Sequence, residues 1–296
     1  MKELITKVAI IGGGPAGCAA AIQLKRMGIE PIIFEMNEIG GLTVNANYIE
    51  NYIGFPQGID GREFVKLMKE HVNSLLIEII YEEVKNGIFK DSKFILETNK
   101  TKSISDFLIF ATGTIPKEFS IKGIEDLKSK NLIFYEPNDI PEEKKIKANI
   151  AIIGGGDAAF DYALNLVQKE SKITILHRNE FLSCLELLYY RASNINEITI
   201  ETSKIVNEFQ ITSDNKVRLI INKENPLIFD FVLLAIGREP NDILVKKFPN
   251  ELFEKGLIYQ IGDLVNQEFR QISIATADGI QCAMEIERKI KKKLNQ

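Results

Sequence analysis

The sequence predicts an α/β protein with two Rossmann-like nucleotide-binding units of the three-layer β/β/α kind. Three observations carry that prediction. Four apolar β-formers, Val8-Ala9-Ile10-Ile11, run into the glycine turn Gly12-Gly13-Gly14-Pro15-Ala16-Gly17. The phrase returns as Ile150-Ala151-Ile152-Ile153 followed by Gly154-Gly155-Gly156-Asp157-Ala158-Ala159. Each copy is followed by an apolar strand that ends in glycine and meets a proline three residues on: 107–113 with Pro116, and 231–237 with Pro240.

The first copy has the strand, turn and helix order that a dinucleotide fingerprint requires. Gly12 permits the tight turn, Gly14 lets a pyrophosphate approach the backbone, and Gly17 lets helix and strand pack closely. The helix N-terminus then presents free N–H groups and partial positive charge to phosphates. Gly28-Ile29-Glu30-Pro31 turns into Ile32-Ile33-Phe34. Glu35 ends that strand, where an acid accepts hydrogen bonds from an adenosine ribose. In the second copy Ala159 takes the last glycine position, which the fingerprint allows. A helix over 160–167 and a strand over 173–176 follow, ending at His177-Arg178. Two nucleotides in one chain suggest electron transfer between them.

Length and composition narrow the class. A chain of 296 residues is a prior for about two domains. A net charge of -4 gives no reason to expect nucleic acid. No apolar run reaches the ~18 residues of a membrane span, and Lys2, Glu3 and Lys7 interrupt any secretory core. Cys18, Cys184 and Cys282 stand in no metal-ligand or C-x-x-C spacing, and His71 and His177 are the only histidines. The reading is a soluble protein of the reducing cytoplasm, without a metal.

Between the motifs, 36–42 reads as a flexible turn. Residues 62–75 read as an amphipathic helix, with Phe64, Val65, Leu67, Met68, Val72 and Leu75 at helical spacing and His71 in a packing or surface role. Strands over 77–81, 87–89, 94–98 and 103–110, parted by charged turns, suggest a β-meander lying on the parallel sheet. Residues 114–149 read as the first crossover, with Glu142-Glu143-Lys144-Lys145 as a solvated turn. A second meander spans 198–221, and 237–241 form the return crossover. A strand over 256–263 ends in Gly262-Asp263, and a final helix over 274–290 ends in lysines that suit a helix C-terminus.

Gly12-x-Gly14-x-x-Gly17, Glu35, Gly40-Gly41, Glu50-Asn51-x-x-Gly54, Ala111-Thr112-Gly113, the second glycine turn, His177-Arg178, Ile236-Gly237-Arg238-x-Pro240-Asn241, Gly262-Asp263 and Arg270-Gln271 cover nearly the whole chain. On these motifs the sequence resembles the low-molecular-weight thioredoxin reductases, flavoproteins with two dinucleotide domains. The resemblance implies an NAD(P)H domain, 116–241, inserted into an FAD domain made of 1–115 and 242–296. It implies that Gly12, Gly14 and Gly17, with Pro15 and Ala16, hold the FAD pyrophosphate, and Glu35 the ribose. Gly262 and Asp263 would take the ribityl or phosphate region, and Arg270, Gln271 and Ile272 would lie against the isoalloxazine. Met36, Gly41, Leu42, Asn51, Val84, Ala111, Thr112 and Gly113 complete the candidate FAD set. In the second domain Gly154, Gly156 and Ala159, with Asp157 and Ala158, would hold NADH or NADPH. His177 and Arg178 would lie near its adenosine, and Ile236 and Gly237 complete that set. A homodimer through the FAD domains is also implied.

Two departures bear on function. In that family a redox-active C-x-x-C stands shortly before the second glycine turn. Here the region reads Asn131-Leu132-Ile133-Phe134-Tyr135-Glu136-Pro137-Asn138-Asp139-Ile140, without cysteine. Disulfide exchange requires an attacking thiolate and a second thiol to resolve the mixed disulfide, so thioredoxin reduction by that route is not expected. NADPH-selective members also carry His-Arg-Arg and a further Arg. This chain has His177-Arg178-Asn179 and then Phe181-Leu182-Ser183, with Glu180 the only acid near the strand end. Weak discrimination between the nucleotides is expected. The reading is an FAD enzyme that takes hydride from NAD(P)H at flavin N5 and passes electrons to a non-disulfide acceptor, without a catalytic side chain. Two other readings stand beside it. One is a ferredoxin–NAD(P)+ reductase-like enzyme, although the extra C-terminal segment of those relatives is not expected beyond Gln296. The other is a non-catalytic flavoprotein or NAD(P)H-sensing redox subunit.

Overall fold

The structure, a computed structural model, describes residues 1–222 and 224–294, with side chains through Lys292. In chain order it opens with β1 (Lys2–Ile11), α1 (Pro15–Arg26), β2 (Pro31–Phe34), α2 (Gly61–Ser74), β3 (Glu78–Ile80), β4 (Asn86–Lys90), β5 (Lys93–Glu97), β6 (Thr101–Phe110) and β7 (Thr114–Pro116). There follow α3 (Ile124–Ser129), β8 (Ile133–Phe134), β9 (Asn149–Ile153), α4 (Asp157–Val167), β10 (Lys172–Leu176), α5 (Glu186–Ser193) and β11 (Ile198–Glu201). Next come β12 (Val206–Ile211), β13 (Val217–Ile221), β14 (Leu227–Phe229) and β15 (Phe231–Leu234). The chain ends with β16 (Arg238–Pro240), α6 (Asn250–Glu254), β17 (Ile258–Gln260) and α7 (Ile272–Leu294). Two compact units result: Met1–Val44, Glu50–Ile115 and the chain from Glu239 onward form the first, and Asn45–Ile49 with Pro116–Arg238 form the second. Among the described residues no helix is long and apolar enough to cross a membrane.

The first unit is a seven-stranded sheet ordered β3-β2-β1-β6-β5-β4, with β17 also on β6. Its centre is parallel, Val8 opposite Pro31 and Phe107. The central strands read as unbroken apolar runs because both faces are covered. One face packs Val8, Ile10, Ile33, Phe107 and Ile109 against residues of α1 and α7. The other packs Ala9, Leu108 and Phe110 against Phe94, Phe248 and Leu252. Helix α1 starts with Pro15, whose fixed φ suits a first helical position. It buries the small residues Ala16, Gly17, Cys18, Ala20 and Ala21, so it lies close to its neighbours. Asp60 caps α2 by accepting the Arg62 and Glu63 amides at 2.8 and 3.2 Å, a cap worth about 1 kcal/mol. His71 lies on the exposed side of that helix.

The expected separate meander is not a layer of its own in this unit. β4 and β5 extend the same sheet, because β6 is long enough to be shared: Lys102 to Ser105 pair with β5, and Leu108 to Phe110 pair with β17.

The second unit holds a parallel sheet ordered β11-β10-β9-β15-β8 and a separate antiparallel sheet, β12-β13-β14. Phe160, Ala163 and Leu166 of α4 pack with Ile150, Ile152 and Leu233 of the parallel sheet. On the opposite side Ala151, Ile153 and Val232 pack with Phe209, Val217 and Leu219 of the antiparallel one. Here the meander does form its own layer. The presumed crossover over 114–149 is not structureless, since α3 and the edge strand β8 lie within it. Its charged run is not fully solvated either. Lys145 is buried, and its ammonium is 2.8 Å from the Glu142 carboxylate.

The sequence places the return crossover's end at 241, but the second unit ends at Arg238. Asn241 is tied to the first unit: its N–H donates to the Gly113 carbonyl at 3.0 Å, and its carbonyl accepts the Thr112 hydroxyl at 2.7 Å. Residues 45–49 group with the second unit for similar reasons. Asn45 accepts the Asn138 amide, and the Asn47 amide donates to Asp161, both at 2.9 Å.

Candidate functional site

In each unit the glycine turn is closed by the same two hydrogen bonds. Gly12 N–H donates to Phe34 O at 2.8 Å and Gly154 N–H to Leu176 O at 3.0 Å. Ala111 N–H donates to Ile11 O and Ala235 N–H to Ile153 O, both at 2.8 Å. Gly12 has φ +107° and Gly154 φ +157°, and an added Cβ would strike the carbonyl oxygen of Ala111 or Ala235. Those two positions require glycine on both counts.

Gly14 is different. Its φ is -73°, and a Cβ there would meet nothing within 4 Å. The backbone is therefore open on the side from which a pyrophosphate approaches. No acidic residue lies in the first turn of α1, so its amide groups and partial positive charge face that opening without a competing anion. A Cβ on Gly17 would overlap the Gly12 carbonyl, which is why α1 comes so near the turn.

Around this turn the first unit gathers most of the expected residues. The Glu35 carboxylate is buried and accepts the Gly13 amide at 2.7 Å and the Asn37 amide at 2.9 Å. A carboxylate has about four acceptor positions, so two remain for a ribose diol. Gly41 (φ +54°) lies against Gly14, and Gly262 (φ +69°) against Ala16. Gly262 N–H donates to Asp278 at 3.0 Å, and Asp263 is half-buried beside it. Asn51 donates to Gln271 Oε1 at 2.8 Å, joining two residues expected at the flavin, with Arg270 and Ile272 on either side of Gln271. Met36 and Leu42 are exposed, and Val84 packs against the core near Phe34. This donor set fits an adenine dinucleotide such as FAD.

The second turn has a different lining. The His177 imidazole lies over Gly155, in the position that Glu35 holds over Gly13. Its Nε2 is 3.1 Å from Phe181 O, and Ser183 N–H donates to Gly155 O at 2.9 Å. Asp157 opens α4 and accepts the Leu185 amide at 2.7 Å. The 177–185 loop is thereby fastened to the glycine turn. Ala159 is buried and Ala158 exposed. The first turn of α4 is looser than that of α1: Phe160 N–H reaches Gly156 O at 3.5 Å, against 2.9 Å for Cys18 to Gly14. Ala159 stands there where α1 has Gly17. Arg178 is exposed, Ile236 half-buried, and Gly237 has φ +108°.

Two clusters escaped the sequence reading. In the segment before the second glycine turn, the Glu136 carboxylate is buried and accepts both the Tyr162 hydroxyl and the Arg238 guanidinium. Burial pushes its carboxyl above the usual range, although Arg238 and Tyr162 oppose the shift. The second cluster, Glu201, Lys204 and Glu224, adjoins His177 and is taken up below. Contrary to the expectation that only Glu180 stands near that strand end, Glu201 ends the neighbouring strand in register with Leu176.

All three cysteines are free thiols. Cys18 donates to Gly13 O at 3.2 Å, and burial, with Glu35 nearby, pushes its thiol up to about 12. Burial raises Cys282 and Cys184 as well.

Comparison with known proteins agrees with this geometry. The sequence profile of the pyridine nucleotide-disulphide oxidoreductases matches residues 6–279. The chain is 31% identical to the thioredoxin reductase of Buchnera aphidicola, over 97% of this chain and 95% of that protein. Among solved structures it resembles Lactococcus lactis thioredoxin reductase, with a TM-score of 0.85, 25% identity and coverage of 97% and 99%. The bacillithiol disulfide reductase of Bacillus cereus shares the fold at 20% identity and a TM-score of 0.77.

Proposed function

The chain belongs to the pyridine nucleotide-disulphide oxidoreductase family, and from that premise we propose that it moves electrons from NADH or NADPH through FAD to an acceptor other than a disulfide. As a thioredoxin reductase-like flavoprotein it uses FAD and a nicotinamide dinucleotide. FAD supplies the chemistry, accepting a hydride and releasing electrons singly or in pairs. The protein's share is to bind and to position. Gly14 and the N-terminus of α1 leave room and positive charge for the pyrophosphate, and Glu35 offers its remaining lone pairs to the ribose. The turn at Gly154–Gly156 would do the same for the second dinucleotide.

One observation carries the choice of acceptor. The segment before the second glycine turn holds a buried carboxylate, Glu136, bonded to Tyr162 and Arg238, and no thiol. A dithiol relay needs two sulfurs, one of them accessible as thiolate. Cys18 and Cys282 are buried with raised thiols, and Cys184 is a free thiol in the 177–185 loop. The relatives named above reduce thioredoxin or a bacillithiol disulfide by their names, so the distinction is testable.

Anaerobic mixing with NADH and with NADPH should bleach bound FAD, and dyes or quinones should restore its colour. The two nucleotides should differ by less than about a hundredfold in kcat/KM, or ~2.8 kcal/mol. Thioredoxin should give no turnover above background. Sustained NADPH-dependent reduction of thioredoxin would overturn the proposal. In solution we expect a homodimer formed by the first unit, which light scattering at micromolar concentration checks.

A further inference from the structure

We propose that Glu201 and Glu224 determine how the second unit treats the 2′ position of the adenosine ribose, because they neutralise Lys204, the cation a 2′-phosphate would otherwise meet. The inference rests on reading this unit as the nicotinamide dinucleotide site.

In a unit of this topology the ribose 2′ substituent lies at the end of the strand that follows the glycine-turn helix. That end is His177-Arg178, after β10. The edge strand β11 runs beside β10 in parallel, with Leu176 opposite Glu201. The chain leaving β11 then folds back across the same end. His177 N–H donates to Glu201 O at 2.9 Å, Lys204 N–H to His177 O at 2.9 Å, and Ser203 N–H to Asn179 O at 3.1 Å. Ser203 takes a left-handed conformation, φ +58°, to make that return. Lys204 is thus fixed through its backbone to the residues against which the 2′ substituent would rest.

Its ammonium is 3.3 Å from Glu201 Oε2 and also contacts the Glu224 carboxylate. The side chain is 21% exposed, against 31% and 49% for the two acids, so the cluster is at the surface but partly shielded. The Glu224 hydrogen bond, with Glu201, holds the ammonium further above its ordinary range, so Lys204 stays charged at neutral pH. Two carboxylates against one ammonium leave the cluster at -1, and the exposed Arg178 brings it only to zero.

A 2′-phosphate brings close to two negative charges and must give up strong hydration, which charge-assisted donors have to replace. Here the second candidate cation already has two anionic partners. A 2′-hydroxyl has no such requirement, and it can donate to a carboxylate. The acid that favours a plain ribose need not stand at the end of its own strand. Glu201 ends the adjacent strand, in register with Leu176.

Titration calorimetry of the FAD-loaded protein with NAD+ and NADP+ tests this without turnover. Replacing both acids, Glu201→Gln with Glu224→Gln, should tighten NADP+ about tenfold, ~1.4 kcal/mol, and change NAD+ far less, because glutamine keeps an acceptor for the 2′-hydroxyl. Adding Lys204→Met to that pair should remove the gain. Lys204→Met alone, which leaves both acids uncompensated, should weaken NADP+ more than NAD+. An unchanged NADP+ to NAD+ ratio in the double variant, with both nucleotides bound, overturns the proposal. So does a gain that persists when Lys204→Met is added to the pair, because the cation answering the phosphate would then lie elsewhere. Failure of wild-type protein to bind either nucleotide would instead overturn the reading of the second unit as their site.

Discussion

Gly279 of α7 lies so close to Ala16 of α1 that a Cβ on the glycine would fall on the Ala16 carbonyl oxygen, 2.8 Å from the Ala20 nitrogen. Two effects oppose each other there. Alanine in place of a helical glycine gains about 1 kcal/mol in propensity, whereas overpacking a closed contact costs ~1–3 kcal/mol. The obstacle is backbone, which cannot rotate aside, so the steric cost prevails. Gly279→Ala should lower stability modestly, and Gly279→Val by at least about 2 kcal/mol. Urea unfolding followed by circular dichroism measures both. An unchanged midpoint for the valine variant would mean that the helices are not this close.

Gly14 makes the opposite case. Its backbone is extended and a Cβ would stand in open space. Gly14→Val should therefore keep the wild-type unfolding curve of the apoprotein while losing most bound FAD, read from flavin absorbance per mole of chain. Gly12→Ala, forced onto the Ala111 carbonyl at φ +107°, should lose both stability and flavin. Full FAD occupancy in Gly14→Val would remove the first glycine turn from the cofactor site.

Glu136 gives a pH signature. Its carboxyl is raised mainly by burial, so the folded state holds the proton more tightly than the unfolded state. Between the ordinary glutamate range and its raised folded value, the folded state binds more protons, and its contribution to stability falls as pH rises. Asp139 is raised by burial too and acts in the same direction. Glu136→Gln keeps an acceptor for Tyr162 and removes the titration. The stability of this variant relative to wild type should therefore improve between pH 5 and pH 8. A relative loss over that interval would mean that the Arg238 pair outweighs desolvation.

The thiols should be dispensable for electron transfer. Burial pushes the Cys18 thiol far above neutral pH, so it stays protonated and is a poor nucleophile. A variant with Cys18, Cys184 and Cys282 all replaced by serine should reduce dyes with NAD(P)H at close to the wild-type rate. If dye reduction disappears while FAD stays bound, one of these cysteines carries electrons.

The parallel core was legible because Val8-Ala9-Ile10-Ile11, Ile150-Ala151-Ile152-Ile153 and their downstream partners are continuous apolar runs beside glycines. Such runs need no partner to be recognised as buried strands. β8 was not, since Ile133–Phe134 is two residues long and exists only because β15 stands beside it. The hairpin β4-β5 is visible in the sequence as strands, but not its place on β6, because alternation does not say which edge a strand joins. In the site, the glycines announce themselves by spacing. Glu136 with Arg238 and Glu201 with Lys204 do not, since they meet through tertiary contacts that leave no periodic trace.

The first unit is finished by its last residues: β17 pairs with β6, and α7 packs on α1 through Gly279. This has a consequence for biosynthesis. While the chain is still emerging, β6 lacks β17 and α1 lacks its cover, whereas 116–238 already contain both sheets of the second unit. Closing a long intervening loop adds little entropy cost per further residue, so the insertion does not forbid the later step. The second unit should therefore fold on the ribosome before the first, whose apolar surface stays exposed meanwhile to chaperones or to aggregation. Nascent chains stalled before β17 should show protease resistance confined to the second unit, and protection of 1–115 at that stage would contradict this order.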